Sequence, residues 1–110
     1  MNLGIVIGVE KYKSDIYDNL AACKNDARVF KDVLGNVKDF EEILYLNNDD
    51  SGILIKRSIS DFIDKYKEKE VSEFIFYFSG HGERFEDDFF YLPSDFDEKK
   101  ERQQAYEIQN

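Results

Sequence analysis

Three short apolar runs, separated by two stretches with helical spacing, set the pattern of this chain. The first, Leu3-Gly4-Ile5-Val6-Ile7-Gly8-Val9, is continuous and rich in β-branched residues, which predicts a central parallel strand covered on both sides. Glu10 to Asn19 is polar, with Tyr12, Ile16 and Tyr17 interspersed, and predicts a loop at the carboxyl edge of the sheet. From Leu20 the apolar positions Leu20, Ala21, Ala27, Phe30, Val33 and Leu34 follow a helical stripe that Gly35-Asn36 stops. Asn25 and Asp26 lie near the start of that helix, where a carboxylate complements the exposed amides. A second strand follows at Glu42 to Leu46, then a turn at Asn47-Asn48-Asp49-Asp50. Ser51 is placed to cap a helix running to about Lys69, with Leu54, Ile55, Ile59, Phe62, Ile63 and Tyr66 on its inner face.

The third strand spans Val71 to Phe78. Its run Phe74-Ile75-Phe76-Tyr77-Phe78 carries no charge and reads as buried on both faces. Strand, helix, strand, helix, strand is the alternation of an α/β fold with a mostly parallel sheet and right-handed crossovers. An acidic segment, Glu83 to Asp88, precedes Phe89-Phe90-Tyr91-Leu92-Pro93, a short strand or hairpin arm ended by proline. Ser94 to Asn110 has no apolar periodicity and reads as a polar linker or tail, so the packed domain is expected over residues 1–93.

Composition narrows the partners. A chain of 110 residues with 42% hydrophobic content, ten Phe and seven Tyr suits one small packed domain. The net charge of −9 argues against nucleic acid or an anionic membrane and favours a basic substrate. With one cysteine, Cys23, no intrachain disulfide is possible, and no Cys/His cluster suggests a structural zinc. The N-terminal apolar run is too short for a membrane span and lacks the basic segment of a signal peptide, so a cytoplasmic location is the default. No cofactor-binding loop is apparent, since Glu10-Lys11-Tyr12-Lys13 offers no glycine-rich cradle; that argues against a flavodoxin-like or receiver-like reading of the same alternation.

The candidate chemistry lies where the third strand stops. Ser79-Gly80-His81-Gly82 holds the only histidine of the protein between two glycines. An imidazole near its ordinary pKa of ~6.5 both accepts and returns a proton, and the glycines let a substrate approach the backbone. In open α/β sheets the crevice beyond the carboxyl ends of the strands is where ligands bind. Local features alone leave a second reading open, a turn residue that ends a strand and hydrogen-bonds a carbonyl.

An apolar strand followed by Ser-Gly-His-Gly resembles the histidine motif of the caspase-like cysteine peptidases. The order of the other pieces is similar too: a first strand ending Val-Ile-Gly-Val-Glu, then Leu20-Ala21-Ala22-Cys23-Lys24-Asn25-Asp26-Ala27, and later Tyr91-Leu92-Pro93-Ser94-Asp95. The Cys-x-Asn-Asp-Ala element is closer to metacaspases and their bacterial relatives than to animal caspases. The resemblance implies a three-layer α/β sandwich, a mostly parallel β-sheet flanked by helices, of which this chain is the N-terminal, incomplete part.

What the resemblance implies for single residues can be carried over one at a time. His81 becomes the catalytic histidine that favours the thiolate of a cysteine nucleophile. Gly82 offers its N–H to the oxyanion, against the alternative of a plain turn glycine. Asp26 and Ser79 line the pocket for the residue before the cut, where a carboxylate selects Arg or Lys; the alternative for Asp26 is helix-start capping. Cys23 coincides with the non-nucleophilic cysteine of the metacaspase pattern and is expected as a small residue beside the pocket, with a nucleophile role for it as the minor alternative. In caspases the histidine lies about 50 residues upstream of the nucleophile, and none of the residues after His81 is cysteine. The expectation is therefore a protein or peptide substrate with a basic residue before the cut, and a nucleophile supplied by a C-terminal remainder of the catalytic domain. Cell-death or defence responses are the setting the resemblance suggests. A catalytically inactive interaction or scaffold module is the alternative. The acidic runs Glu86-Asp87-Asp88 and Asp95 to Asp97 lack a calcium loop's spacing and glycine and read as solvated faces, with no metal expected.

Overall fold

The computed structural model describes residues 1–97. Strands β1 (Asn2–Gly8), β2 (Glu42–Leu46) and β3 (Glu73–Ser79) form a parallel sheet in the order β2-β1-β3, connected by helices α1 (Cys23–Val37) and α2 (Gly52–Tyr66). After β3 the chain makes an antiparallel hairpin, β4 (Gly82–Phe85) and β5 (Asp88–Tyr91). The path goes from β1 outward to β2 and then back across to β3. With right-handed crossovers, that reversal puts the two helices on opposite faces and gives three layers.

Alternation along β1 divides the core accordingly. Leu3, Ile5 and Ile7 face Ile55, Ile59, Phe62 and Tyr66 of α2, together with Phe90, Leu92 and Phe96 from the hairpin and the segment after it. Val6, pointing the other way, meets Ala27 and Leu34 of α1. Ile75 and Tyr77 of β3 lie on that second face, and the Tyr77 ring stacks on Phe30 at 4.1 Å. Each of the larger apolar side chains so removed from water contributes about 1.5 to 3 kcal/mol. The cap expected at Ser51 is present: its Oγ accepts from the Leu54 N–H at 3.2 Å.

Several expectations need correction. The Phe74–Phe78 run is not buried on both faces: Phe74 is 48% and Phe76 41% exposed. Among the described strands β3 pairs only with β1, and α2 packs against β2 rather than reaching across to the outer side of β3. Leu54 and Ile63 are exposed as well, because the buried positions of α2, namely 52, 55, 59, 62 and 66, form a stripe that they flank. Helix α1 begins at Cys23 rather than Leu20 and runs through Gly35 to Val37. Gly35 does not adopt the left-handed conformation that would stop a helix there. The acidic segment Glu83–Asp88 supplies β4 and a two-residue turn, Glu86-Asp87, with Glu86 at φ 58°. Packing also continues past Pro93, since Ser94 is buried and Phe96 only 2% exposed; the remainder of the expected linker, residues 98–110, lies outside the described residues.

Candidate active site at the carboxyl edge of the sheet

β1 and β3 end side by side, Gly8 opposite Ser79, and the Val9 N–H donates to the Ser79 carbonyl at 2.9 Å. The loop after β1 and the segment after β3 then pack against each other on the same face, beyond the strand ends where open α/β sheets hold their ligands. Gly8 also fixes where α1 begins. A Cβ there would stand 2.5 Å from Asn47 Oδ1, 2.9 Å from Ala27 Cβ and 3.1 Å from the Cys23 carbonyl oxygen, so only a glycine lets the first turn of α1 settle onto the strand. Cys23 is buried in that turn and Asp26 is exposed on it. No side-chain bond caps the helix; Asp26 lies within the first turn, where its charge suits the dipole.

His81 follows β3 and precedes β4, and the loop after β1 grips it from three sides. Its Nε2 is 2.8 Å from the Asp18 carbonyl oxygen. A carbonyl only accepts, so Nε2–H donates and, in the neutral ring, Nδ1 is the basic nitrogen. The Tyr12 ring meets the imidazole edge-on at 4.7 Å, and the Tyr17 ring lies tilted at 5.2 Å. The Tyr17 hydroxyl in turn donates to Glu83 Oε2 at 2.8 Å. Tyr12 is buried, and its hydroxyl accepts from the His81 N–H at 2.7 Å while donating to the Leu92 carbonyl at 3.2 Å. Burial holds this hydroxyl's pKa well above the ordinary tyrosine value, so it stays a neutral donor throughout the working range of an enzyme.

The gripping loop is itself anchored. Asp49, just after β2, takes a left-handed φ of 55° and aims its carboxylate back at the loop. Its Oδ1 accepts from the Glu10 N–H at 2.7 Å and the Lys11 N–H at 3.2 Å, and its Oδ2 pairs with Lys24 Nζ at 2.8 Å. Burial alone would raise the Asp49 carboxyl. The Lys24 ammonium and the two backbone donors outweigh that and hold it below the usual carboxylate range. Further ties run from the Tyr12 N–H to Asn19 Oδ1 at 2.9 Å, from the Lys13 N–H to the Ser94 carbonyl at 3.0 Å, and from the Leu20 N–H to the Glu10 carbonyl at 2.7 Å.

Of the residues singled out from the sequence, His81, Gly82 and Ser79 thus lie together where β3 gives way to β4. Cys23 and Asp26 stand on the turn of α1 that covers Gly8, the cross-strand neighbour of Ser79. Gly82 begins β4, and a Cβ on it would come 2.1 Å from the Phe89 ring. Sequence reasoning missed Tyr12, Tyr17, Asp18 and Asp49. The available signal was two tyrosines in an otherwise polar segment placed at a carboxyl edge.

An α/β protein with one orientated imidazole at the switch point of a parallel sheet is the class these features define. A family model described as the caspase domain matches residues 1–109, and the chain belongs to the caspase-domain family. No curated protein and no solved structure matches it significantly. At the level the family carries, this is a caspase-like peptidase domain whose substrates are proteins. Among the described residues, no helix is long and apolar enough to cross a membrane.

Proposed function

We propose that this chain is the histidine-bearing part of a cysteine endopeptidase that cuts after Arg or Lys, with the nucleophilic cysteine contributed from outside these 110 residues. The observation that carries the reading is the Nε2–H to Asp18 carbonyl bond, which leaves Nδ1 as the ring's proton acceptor. Nδ1 takes the thiol proton, the thiolate attacks the peptide carbonyl, and the resulting imidazolium returns the proton to the leaving amine; water then hydrolyses the acyl-enzyme.

Gly82 is suited to the oxyanion. The Leu92 N–H donates to the His81 carbonyl at 3.0 Å, so in the alternating ladder the next residue, Gly82, turns its N–H away from β5. Asp26, exposed beside the end of β1, is placed to meet a guanidinium or ammonium group, with Ser79 at the adjacent strand end. Cys23 is buried on the helix side, which suits a packing role. The same burial of the chain's one cysteine favours the second reading, an inactive interaction module.

Reporter peptides that differ only in Arg or Asp before the cut separate these readings, used with the longest natural form of the protein. Preference for Arg that is lost in Asp26→Ala is expected. Preference for Asp contradicts the pocket, and no cleavage of either peptide favours the module.

A further inference from the structure

The hairpin ladder is incomplete at its base. Gly82 to Phe85 pair with Tyr91 to Asp88, and the Leu92 N–H to His81 carbonyl bond extends the ladder by one pair. In an antiparallel pair of that kind the reciprocal bond should run from the His81 N–H to the Leu92 carbonyl. Instead the Tyr12 hydroxyl stands between them, accepting from the first at 2.7 Å and donating to the second at 3.2 Å. Room for it comes from Gly80, where a Cβ would lie 2.7 Å from the Tyr12 oxygen.

We propose that Tyr12 is a positioning residue: its hydroxyl replaces the last rung of the β4–β5 ladder and thereby locks the His81 backbone to the loop that holds the His81 ring. The importance of this for turnover rests on the reading of His81 as the base. A hydroxyl fits because it accepts and donates at once, and burial keeps it protonated, so the relay does not break at alkaline pH. One tyrosine then couples three segments, the loop after β1, the turn after β3 and the strand return at Leu92. Without the oxygen, the His81 N–H and the Leu92 carbonyl both lose their partner, and the His81 backbone is no longer tied to the loop that carries Asp18, which loosens the Nε2–H contact and releases the tautomer.

The test uses the 110-residue chain labelled with 15N-histidine, in which one ring gives all the signal because His81 is the only histidine. Wild type is expected to show a single neutral tautomer with the proton on Nε2. Tyr12→Phe keeps the aromatic ring and should give both tautomers, with the His81 amide exchanging about tenfold faster, the factor for a hydrogen bond of ~1.4 kcal/mol. Tyr66→Phe, which removes a tyrosine hydroxyl bond to Glu42 at the start of β2, far from His81, should leave both readouts unchanged. A folded Tyr12→Phe protein that retains the single Nε2–H tautomer overturns the proposal, even if its unfolding midpoint has dropped. Should that variant not fold, wild type decides: a slowly exchanging Tyr12 hydroxyl proton close to the His81 amide proton is expected, and its absence overturns the relay. None of these readouts involves peptide cleavage, so this proposal and the peptidase reading fail separately.

Discussion

The two outer strands of the sheet are treated differently. β2 is five residues long, and every one of its positions is half-buried. Lys31 lies over the Tyr45 ring, and Glu42 is clasped by Lys65 Nζ at 2.8 Å and the Tyr66 hydroxyl at 2.6 Å. β3 is seven residues long and leaves Phe74 and Phe76 partly exposed, Phe76 with one side against the Tyr91 ring. Both strands are apolar, yet only one is protected in the manner expected of a sheet edge. The covered side supplies the rigid anchor of the site, Asp49, directly after β2. The bare side carries His81 at its end.

Truncating one phenylalanine in the closed core and one on the bare strand should show this contrast most visibly. Phe90, fully buried against α2 and β1, is expected to cost about 3 to 5 kcal/mol as Phe90→Ala, whereas Phe76→Ala should cost less than about 1 kcal/mol. Urea unfolding of the two variants measures the difference, and equal losses would mean that β3 is covered after all.

Asp49 comes next. Asp49→Asn should destabilise by about 1 to 3 kcal/mol at neutral pH, because Lys24 and two backbone donors lose a charged acceptor. The carboxyl's folded-state value is depressed, so its contribution is complete above the unfolded value of about 3.9 and is lost as pH falls through the lower folded value. The gap between wild type and variant should therefore shrink on acidification below about pH 4. A gap that widens there contradicts the assignment.

Glycines give a finer contrast. Gly8→Ala forces a Cβ into Asn47, Ala27 and the Cys23 carbonyl and should cost about 1 to 3 kcal/mol. Gly35→Ala, with open space around the new methyl inside α1, should gain about 0.5 to 1 kcal/mol. Thermal unfolding of both proteins is the check, with shifts of opposite sign expected.

How much of this was legible in the sequence depends on whether the determinant was local. β2 and the Ser51 cap were read at their observed positions because a short apolar run and a side-chain oxygen before a helix act on their own neighbourhood. The end of β3 was legible to within one residue, expected at Phe78 and found at Ser79, and the histidine after it for the same reason. What Phe74 and Phe76 face was not, since alternation tells a strand's type and not its place in the sheet. Phe96 looked like part of a polar tail because one apolar residue among charges has no period, and only the fold brings it to Tyr17, 5.7 Å between ring centroids. The grip on His81 depends on Tyr12, Tyr17 and Asp18, 63 to 69 residues away along the chain. No spacing rule reaches that far.

The central claim is that one orientated imidazole carries the proton in peptide cleavage. Its most direct test is turnover of an Arg reporter peptide by the longest natural form of the protein, with and without His81→Ala. The account predicts a fall in kcat of about 10²- to 10⁴-fold with folding intact. Unchanged kcat in a folded His81→Ala protein would contradict it.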